Sequence, residues 1–240
     1  MRQYGLEPEM PPEVLRQAAE TSGPTEAELR AVRDLRDLPW CSTDNDDTRD
    51  LDQLTVARPD DDGRAAILVA IADVDALVRQ GSAIDRQAQR NTVSVYTPAI
   101  NFPLLPERLS TDLTSLVEGE DRLAVVVEMV VDRDGEIGAP KICRVRVHNR
   151  AKLTYAGVAA WLDGDGPIPP TMARVPELDA QIRLQDEVAQ RLNGRRHERG
   201  ALERTPASMS PRVERACERS EGSHRQSDLV REILLKLRMT

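Results

Sequence analysis

Ala65-Ala66-Ile67-Leu68-Val69-Ala70-Ile71-Ala72 is eight residues long and carries no polar side chain. A continuous apolar run of this length marks a strand buried on both faces. A turn at Asp60-Asp61-Asp62-Gly63 precedes it, and a short strand from Leu54 to Ala57 stands before the turn. The run ends in two acids, Asp73-Val74-Asp75. A strand covered on both faces is therefore expected here, with two more acids near the acidic cluster upstream in sequence.

The densest acidic stretch lies just upstream, in Trp40-Cys-Ser-Thr-Asp-Asn-Asp-Asp-Thr-Arg-Asp-Leu-Asp-Gln-Leu54. Asp44, Asp46, Asp47, Asp50 and Asp52 fall within nine residues and face one internal cation, Arg49. Carboxylates held this close and desolvated need a cation to stay ionised. An all-oxygen donor set suits a hard ion such as Mg²⁺ or Mn²⁺. The stretch is equally compatible with a solvated loop. A calcium loop fits poorly, because Arg49 and Thr55 occupy the positions that need Gly and a bidentate Glu. A phosphoaspartate reading of Asp50-Leu51-Asp52 lacks the apolar strand that would lead into it. Spacing alone points to a metal site and leaves the reaction open.

The chain has 240 residues, enough for one large domain or two small ones. It is 40% hydrophobic, 2% aromatic and 31% charged, with a mean hydropathy of -0.48. No apolar run approaches the roughly 18 residues of a membrane span. The first residues, Met1 to Pro8, have no apolar signal core, so secretion by that route is not expected. Cys41, Cys143 and Cys217 are odd in number and far apart, which fits neither a disulfide framework nor a zinc pattern and suits a reducing cytoplasm. Neither a membrane nor a disulfide-linked partner is expected. The net charge of -8 is uneven. Residues 1–62 hold 7 Lys/Arg against 16 Asp/Glu (net -9), and residues 191–240 hold 12 against 7 (net +5). A nuclease tolerates such a division, with acids for metal and basic segments for phosphate, although ordinary solvated helix faces explain the basic tail equally well.

Helical spacing predicts a short helix after Pro11-Pro12-Glu13 and a second from Glu26 to Arg36, with Leu29, Val32 and Leu35 in phase. Ser82 caps a helix to about Arg90. Val93 to Pro98 reads as a short strand, and the two prolines in Phe102-Pro103-Leu104-Leu105-Pro106 force an extended loop. Arg122–Val131 and Lys141–His148 bracket Asp132-Arg133-Asp134-Gly135 as a hairpin. In its second strand Ile142, Arg144 and Arg146 share one face, so a basic face points outward and Cys143, Val145 and Val147 point inward. A helix runs from Tyr155 through Trp161, and a long one from Leu178 to about Glu198 with Leu178, Ile182, Val188 and Leu192 apolar. Residues 205–224 have little periodicity, and Leu229–Leu237 again reads as helix.

In order along the chain, Thr43-Asp44, Asp50-Leu51-Asp52-Gln53, Val69-Ala70-Ile71-Ala72-Asp73-Val74, Ser94-Val95-Tyr96 and Leu105-Pro106-Glu107-Arg108-Leu109-Ser110 with Ser115-Leu116 form one motif set. Asp121-Arg122-Leu123-Ala124, Ala151-Lys152-Leu153-Thr154-Tyr155 and Glu198-Arg199-Gly200-Ala201-Leu202 complete it. The set resembles the catalytic domain of the ribonuclease II / ribonuclease R family, the RNB-type exoribonucleases, over roughly residues 35–203.

The resemblance implies an α+β (mixed α/β) domain with a mixed, largely antiparallel sheet flanked by helices, incomplete toward its C-terminal end. It divides the chain into a helical lead-in, 1–38, and an RNB-like domain, 39–240, with 205–240 weakly matched. It implies processive 3′-to-5′ hydrolysis of single-stranded RNA to nucleoside 5′-monophosphates with Mg²⁺ (or Mn²⁺). Asp44, Asp50 and Asp52 match three of the family's four metal-site aspartates, with Asp50 and Asp52 in the catalytic role. Gln53 takes the fourth position, where it offers only a neutral oxygen. A strand would turn Gln53 away from Asp52, so a bent loop is expected over 50–53. Tyr96 matches an aromatic that stacks near the 3′-terminal base, and the outward Arg144 and Arg146 are candidates for gripping RNA. The family's later arginine motif has only a superficial echo in Ser210-Pro211-Arg212-Val213. The resemblance thus calls for a C-terminal segment or a partner that completes the site. An RNA-binding module without turnover is the alternative.

Overall fold

The structure, a computed structural model, describes residues 2–97 and 100–200; the side chain of Tyr96 also lies outside it. The strands are β1 (Arg33–Asp34), β2 (Cys41–Asp44), β3 (Gln53–Pro59), β4 (Ala65–Ala72), β5 (Val95–Tyr96), β6 (Asn101–Phe102), β7 (Asp121–Val131), β8 (Lys141–His148) and β9 (Ala151–Thr154). The helices are α1 (Pro12–Glu20), α2 (Glu26–Ala31), α3 (Ala83–Asn91), α4 (Tyr155–Asp163), α5 (Pro170–Ala173) and α6 (Leu178–Glu198). Seven strands form one sheet in the order β1-β8-β7-β4-β3-β2-β9, and β5 and β6 make a separate two-stranded ribbon. The β8-β7-β4-β3-β2 run is antiparallel, and the two edge strands, β1 and β9, pair in parallel. The sheet is mixed and largely antiparallel, as the resemblance implies.

The apolar run is β4 itself, at the middle of the sheet and covered on both faces as expected. Its odd residues Ile67 and Val69 pack with Val127, Met129 and Val131 against Val188, Ala189 and Leu192 of α6. Its even residues Leu68 and Ala70 pack with Leu54, Val56, Val126 and Val145 against Trp40 and Leu116. The anticipated α6 stripe of Leu178, Ile182, Val188 and Leu192 is buried throughout. Two glutamines on the same helix are buried with it. Gln181 accepts from the Ala57 amide (3.1 Å) and donates to the Pro39 carbonyl (2.9 Å), while Gln185 accepts from the Thr55 hydroxyl (2.9 Å). The bond to Ala57 satisfies a β3 amide beyond the end of the β2 pairing, and together the three bonds fix where α6 sits along the sheet.

The predicted helix over Glu26–Arg36 is shorter. It opens on a capping box between Thr25 and Glu28 and ends at Ala31, after which Val32 turns extended. Arg33 and Asp34 then pair with Val145 and Arg146, and the Leu35 amide donates to the Arg146 carbonyl (2.9 Å). A sheet edge with open carbonyls outweighs helical propensity here. The domain's sheet thus begins inside the expected lead-in, and α1 also packs against α3 through Val14, Ala18 and Ile84. The strand read over Val93–Pro98 is reduced to β5, paired with β6. β2, β9 and α5 had no counterpart in the sequence reading. The readings at 201–240, including the Ser210 echo and the terminal helix, fall outside the described residues.

The β7–β8 hairpin turns on Asp132, whose Oδ1 accepts from the amides of Asp134 (2.9 Å) and Glu136 (2.8 Å). Gly135 follows at φ +72°, and a Cβ there would lie 2.8 Å from the Arg191 carbonyl oxygen on α6. Gly135→Ala is expected to cost about 1–3 kcal/mol in urea denaturation, through left-handed strain and this clash with backbone. Gly194, with open space around its Cα, is the control: Gly194→Ala should gain about 0.5–1 kcal/mol by helix propensity. Equal losses in both would refute the steric account.

Candidate metal and RNA site

β2 and β3 share one paired position, Cys41↔Thr55, and then separate. β2 continues instead beside β9, from Cys41↔Ala151 to Asp44↔Thr154. Asp44 thereby reaches the end of its strand next to the start of α4, where the Thr154 hydroxyl caps the Gly157 amide (3.2 Å). Asp52 stands just before β3, and its carbonyl accepts from the Ala72 amide at the end of β4 (2.9 Å). The gap between the diverging strands is closed by the loop over 45–52, which carries the remaining aspartates.

Residues from distant motifs hold this loop. The Ser115 hydroxyl accepts from the Leu51 amide (3.1 Å) and donates to the Arg49 carbonyl (2.9 Å). The Leu116 amide donates to the Leu51 carbonyl (2.7 Å), and Leu51 itself is buried. Lys152 Nζ donates to the carbonyls of Asp46 (2.9 Å) and Thr48 (2.7 Å). Asp44 Oδ1 accepts from the Asn45 amide (2.7 Å) and the Thr48 hydroxyl (2.8 Å). The expected bent loop holds for 50–52. Gln53 is instead the first residue of β3, paired with Ile71, which packs on the α6 side of the sheet. Asp46 and Asp47 are exposed.

The electrostatics single out Asp52. Although Asp52 is solvent-exposed, desolvation by the surrounding loop, and then the neighbouring carboxylates of Asp44 and Asp50, push its carboxyl above the ordinary range. Tyr155, which opens α4, feels the same charges: burial first, then Asp44 and Asp52, push its phenol up to about 12. Sequence reasoning gave Tyr155 no role, because its place beside the aspartates depends on the β2–β9 pairing. Among the described residues, Asp44, Asp50 and Asp52 lie within electrostatic reach of one another but are not drawn into a closed ligand cluster. The donor set fits a hard divalent cation. Three carboxylates in one short loop supply hard oxygen donors, while Arg49 pairs with Glu107 (3.3 Å) and Lys152 bonds to loop carbonyls. Cys41, next to this site in sequence, is inert, since burial pushes its thiol up to about 12.

The two candidate arginines sit on β8, beyond β4 and β7 from Asp52. Arg144 is half-exposed, with Nε 2.9 Å from Asp73 Oδ2 and Nη2 on Asp75. Arg146 is mostly covered, with Nη2 2.7 Å from Asp121. Burial alone would raise the Asp121 carboxyl, but hydrogen bonds from His148 and Arg36 and the Arg146 charge outweigh it and hold the group low. Tyr96 is placed by backbone only, on β5 opposite Asn101.

The family model described as RNB domain matches residues 32–236. The chain therefore belongs to the RNB domain family. It is similar to Ribonuclease R of Vibrio parahaemolyticus, 37% identical over 184 residues, which is 75% of this chain and 21% of that protein. It is also similar to Ribonuclease R of Escherichia coli, 35% identical over 208 residues, 84% of this chain and 25% of that protein. The chain thus spans about a quarter of the length of these relatives. The structure of Mycoplasma genitalium RNase R in complex with ribose methylated single-stranded RNA superposes with a TM-score of 0.75 at 28% identity, covering 82% of this chain and 30% of that one. Yeast Ssd1, a pseudonuclease, shares the fold alone, with a TM-score of 0.59 at 18% identity over 73% of this chain and 21% of that one. Among the described residues, no helix is long and apolar enough to cross a membrane.

Proposed function

We propose that this chain carries the metal-binding part of a 3′-to-5′ exoribonuclease that degrades single-stranded RNA to nucleoside 5′-monophosphates. The observation that carries the reading is the loop that Ser115 and Lys152 hold between the diverging ends of β2 and β3, which brings Asp44 and Asp50 beside an Asp52 carboxyl held above its ordinary range. That is the electrostatic condition a bound divalent ion relieves. Asp44, Asp50 and Asp52 are the proposed ligands for Mg²⁺ (or Mn²⁺), and Gln53, at the head of β3, would add at most an amide oxygen. When bound, such an ion supplies Lewis-acid polarisation of a phosphate. Ser115, Leu116 and Lys152 fix the loop that presents the carboxylates. Tyr155, with its proton held well above neutral pH, offers a hydrogen-bond donor beside them. Tyr96 and the exposed half of Arg144 are the proposed RNA contacts. The complexes of the Mycoplasma relative with ribose methylated single-stranded RNA and with double-stranded RNA support RNA as the substrate class. The odd number and wide spacing of Cys41, Cys143 and Cys217 are the ground for proposing a reducing, cytoplasmic setting.

A second reading, an RNA-binding module without turnover, is favoured by Gln53. The register with Ile71 makes it a strand residue on the α6 side of the sheet, and it brings no charge. Purified chain is mixed with 3′-tailed, 5′-labelled RNA and Mg²⁺, and the products are separated by size. A ladder shortening from the 3′ end with mononucleotide release supports the enzyme. Retarded but intact RNA at every Mg²⁺ concentration establishes the second reading in its place.

A further inference from the structure

We propose that Lys152 is a positioning residue for the aspartate loop, holding the backbone of Asp46 and Thr48 so that Asp44 is presented to the ion. The inference rests on the metal reading of that loop. Ser42 pairs with Lys152 and Asp44 with Thr154, so alternation puts Lys152 and Asp44 on the same face of neighbouring strands. From there the ammonium reaches two loop carbonyls, Asp46 at 2.9 Å and Thr48 at 2.7 Å. Thr48 passes the constraint on, because its hydroxyl donates to Asp44 Oδ1 at 2.8 Å. The Lys152 main chain is tied as well, its amide donating to Glu118 Oε2 at 2.9 Å. Together these contacts run from a strand through a lysine and a threonine to the carboxylate.

The choice of acceptor matters. An ammonium salt-bridged to Asp44 would compete with a divalent ion for the same oxygens. One bonded to carbonyls fixes the loop without itself occupying the Asp44 oxygens. Arg49, the basic residue within the loop, is turned to Glu107 and cannot substitute for it. Groups that orient a metal ligand without touching the ion change metal affinity by about 10–100-fold when removed. Lys152 is therefore expected to act on ion affinity, ahead of any effect on folding.

The test compares Lys152→Met, Lys152→Arg and Thr48→Val in the full chain, at a temperature where circular dichroism finds every variant folded. Mn²⁺ affinity is read by electron paramagnetic resonance. Lys152→Met should bind about tenfold more weakly, Lys152→Arg within about twofold of wild type, and Thr48→Val should reproduce the loss. The Lys152→Met/Thr48→Val double variant should lose no more than the weaker-binding single variant, since both act along one path. The second readout is free of metal: the rate of tryptic cleavage after Arg49, followed by mass spectrometry, should rise about tenfold in Lys152→Met. Wild-type affinity in Lys152→Met, or unchanged cleavage after Arg49, would overturn the positioning role. Failure of the wild-type chain to take up Mn²⁺ at all would instead overturn the metal reading on which it rests.

Discussion

Asp52→Asn lowers RNA hydrolysis about a thousandfold and at the same time raises the thermal midpoint of the metal-free chain: that is the expected result. Losing a ligand that anchors a Lewis-acid ion removes several kcal/mol of transition-state stabilisation, and each 1.36 kcal/mol is a factor of about ten. The stability change has the opposite sign because of what surrounds the group. Desolvation by the loop, then the charges of Asp44 and Asp50, disfavour the ionised Asp52 carboxyl even though the residue is solvent-exposed, so without an ion the wild-type site carries an unrelieved repulsion. An amide of the same shape removes one charge from that cluster. Sites built for function are commonly relieved in this way when a functional residue is lost. Mg²⁺ should then raise the wild-type midpoint and leave the Asp52→Asn midpoint nearly unmoved, since only a species that binds the ion gains from it. Mononucleotide release and differential scanning fluorimetry, each with and without Mg²⁺, measure both effects. Undiminished release by Asp52→Asn, or a midpoint that falls in the absence of Mg²⁺, contradicts this account of the site.

The acidic stretch around Asp44, Asp46, Asp47, Asp50 and Asp52 could be picked out from spacing because repulsion between carboxylates is a local property of the chain, while Asp44, Asp50 and Asp52 were singled out within it by the family resemblance. β4 and α6 were legible for a similar reason: each has a long uniform pattern, eight apolar residues in one and a 3.6-residue stripe in the other. β2 and β9 were not. Each has four residues, several of them polar, and each exists because it pairs in parallel with a partner more than a hundred residues away. Such a pairing leaves no periodic trace. The roles of Lys152 and Tyr155 stayed hidden with it, although both lie in a motif the sequence offered. The helix read through Leu35 failed because an amide that helical phase would use internally is taken by the Arg146 carbonyl. The face alternation of β8 was correctly read, with Val145 and Val147 buried. What the outward arginines touch was beyond reach, since Asp73 and Asp121 come from other strands and turns.

Arg144 is where that missing information has its largest effect on stability. Arg144→Ala is expected to destabilise the chain by about 2 kcal/mol, a fall of roughly 4–8 °C in thermal midpoint for a domain of this size. The reason is Asp73, whose side chain is only 2% exposed and depends on the guanidinium Nε at 2.9 Å. Removing one member of a buried pair leaves an uncompensated charge, which costs about 3–5 kcal/mol when both members are buried. Arg144 is 51% exposed, so water screens part of the interaction and the lower figure applies. Asp75, the other partner, is 78% exposed, and Asp75→Ala should cost less than about 0.5 kcal/mol. Arg144→Lys separates this from a role with RNA. It keeps the charge that a phosphate sees but has no planar fork for two carboxylates. It should therefore lose most of the stability that Arg144→Ala loses while keeping the salt dependence of RNA binding, whose slope Arg144→Ala reduces by about one. A midpoint for Arg144→Ala within a degree of wild type would mean that Asp73 does not need its partner. An unchanged salt slope would restrict Arg144 to structure, as the anchor of the Asp73 turn immediately after β4.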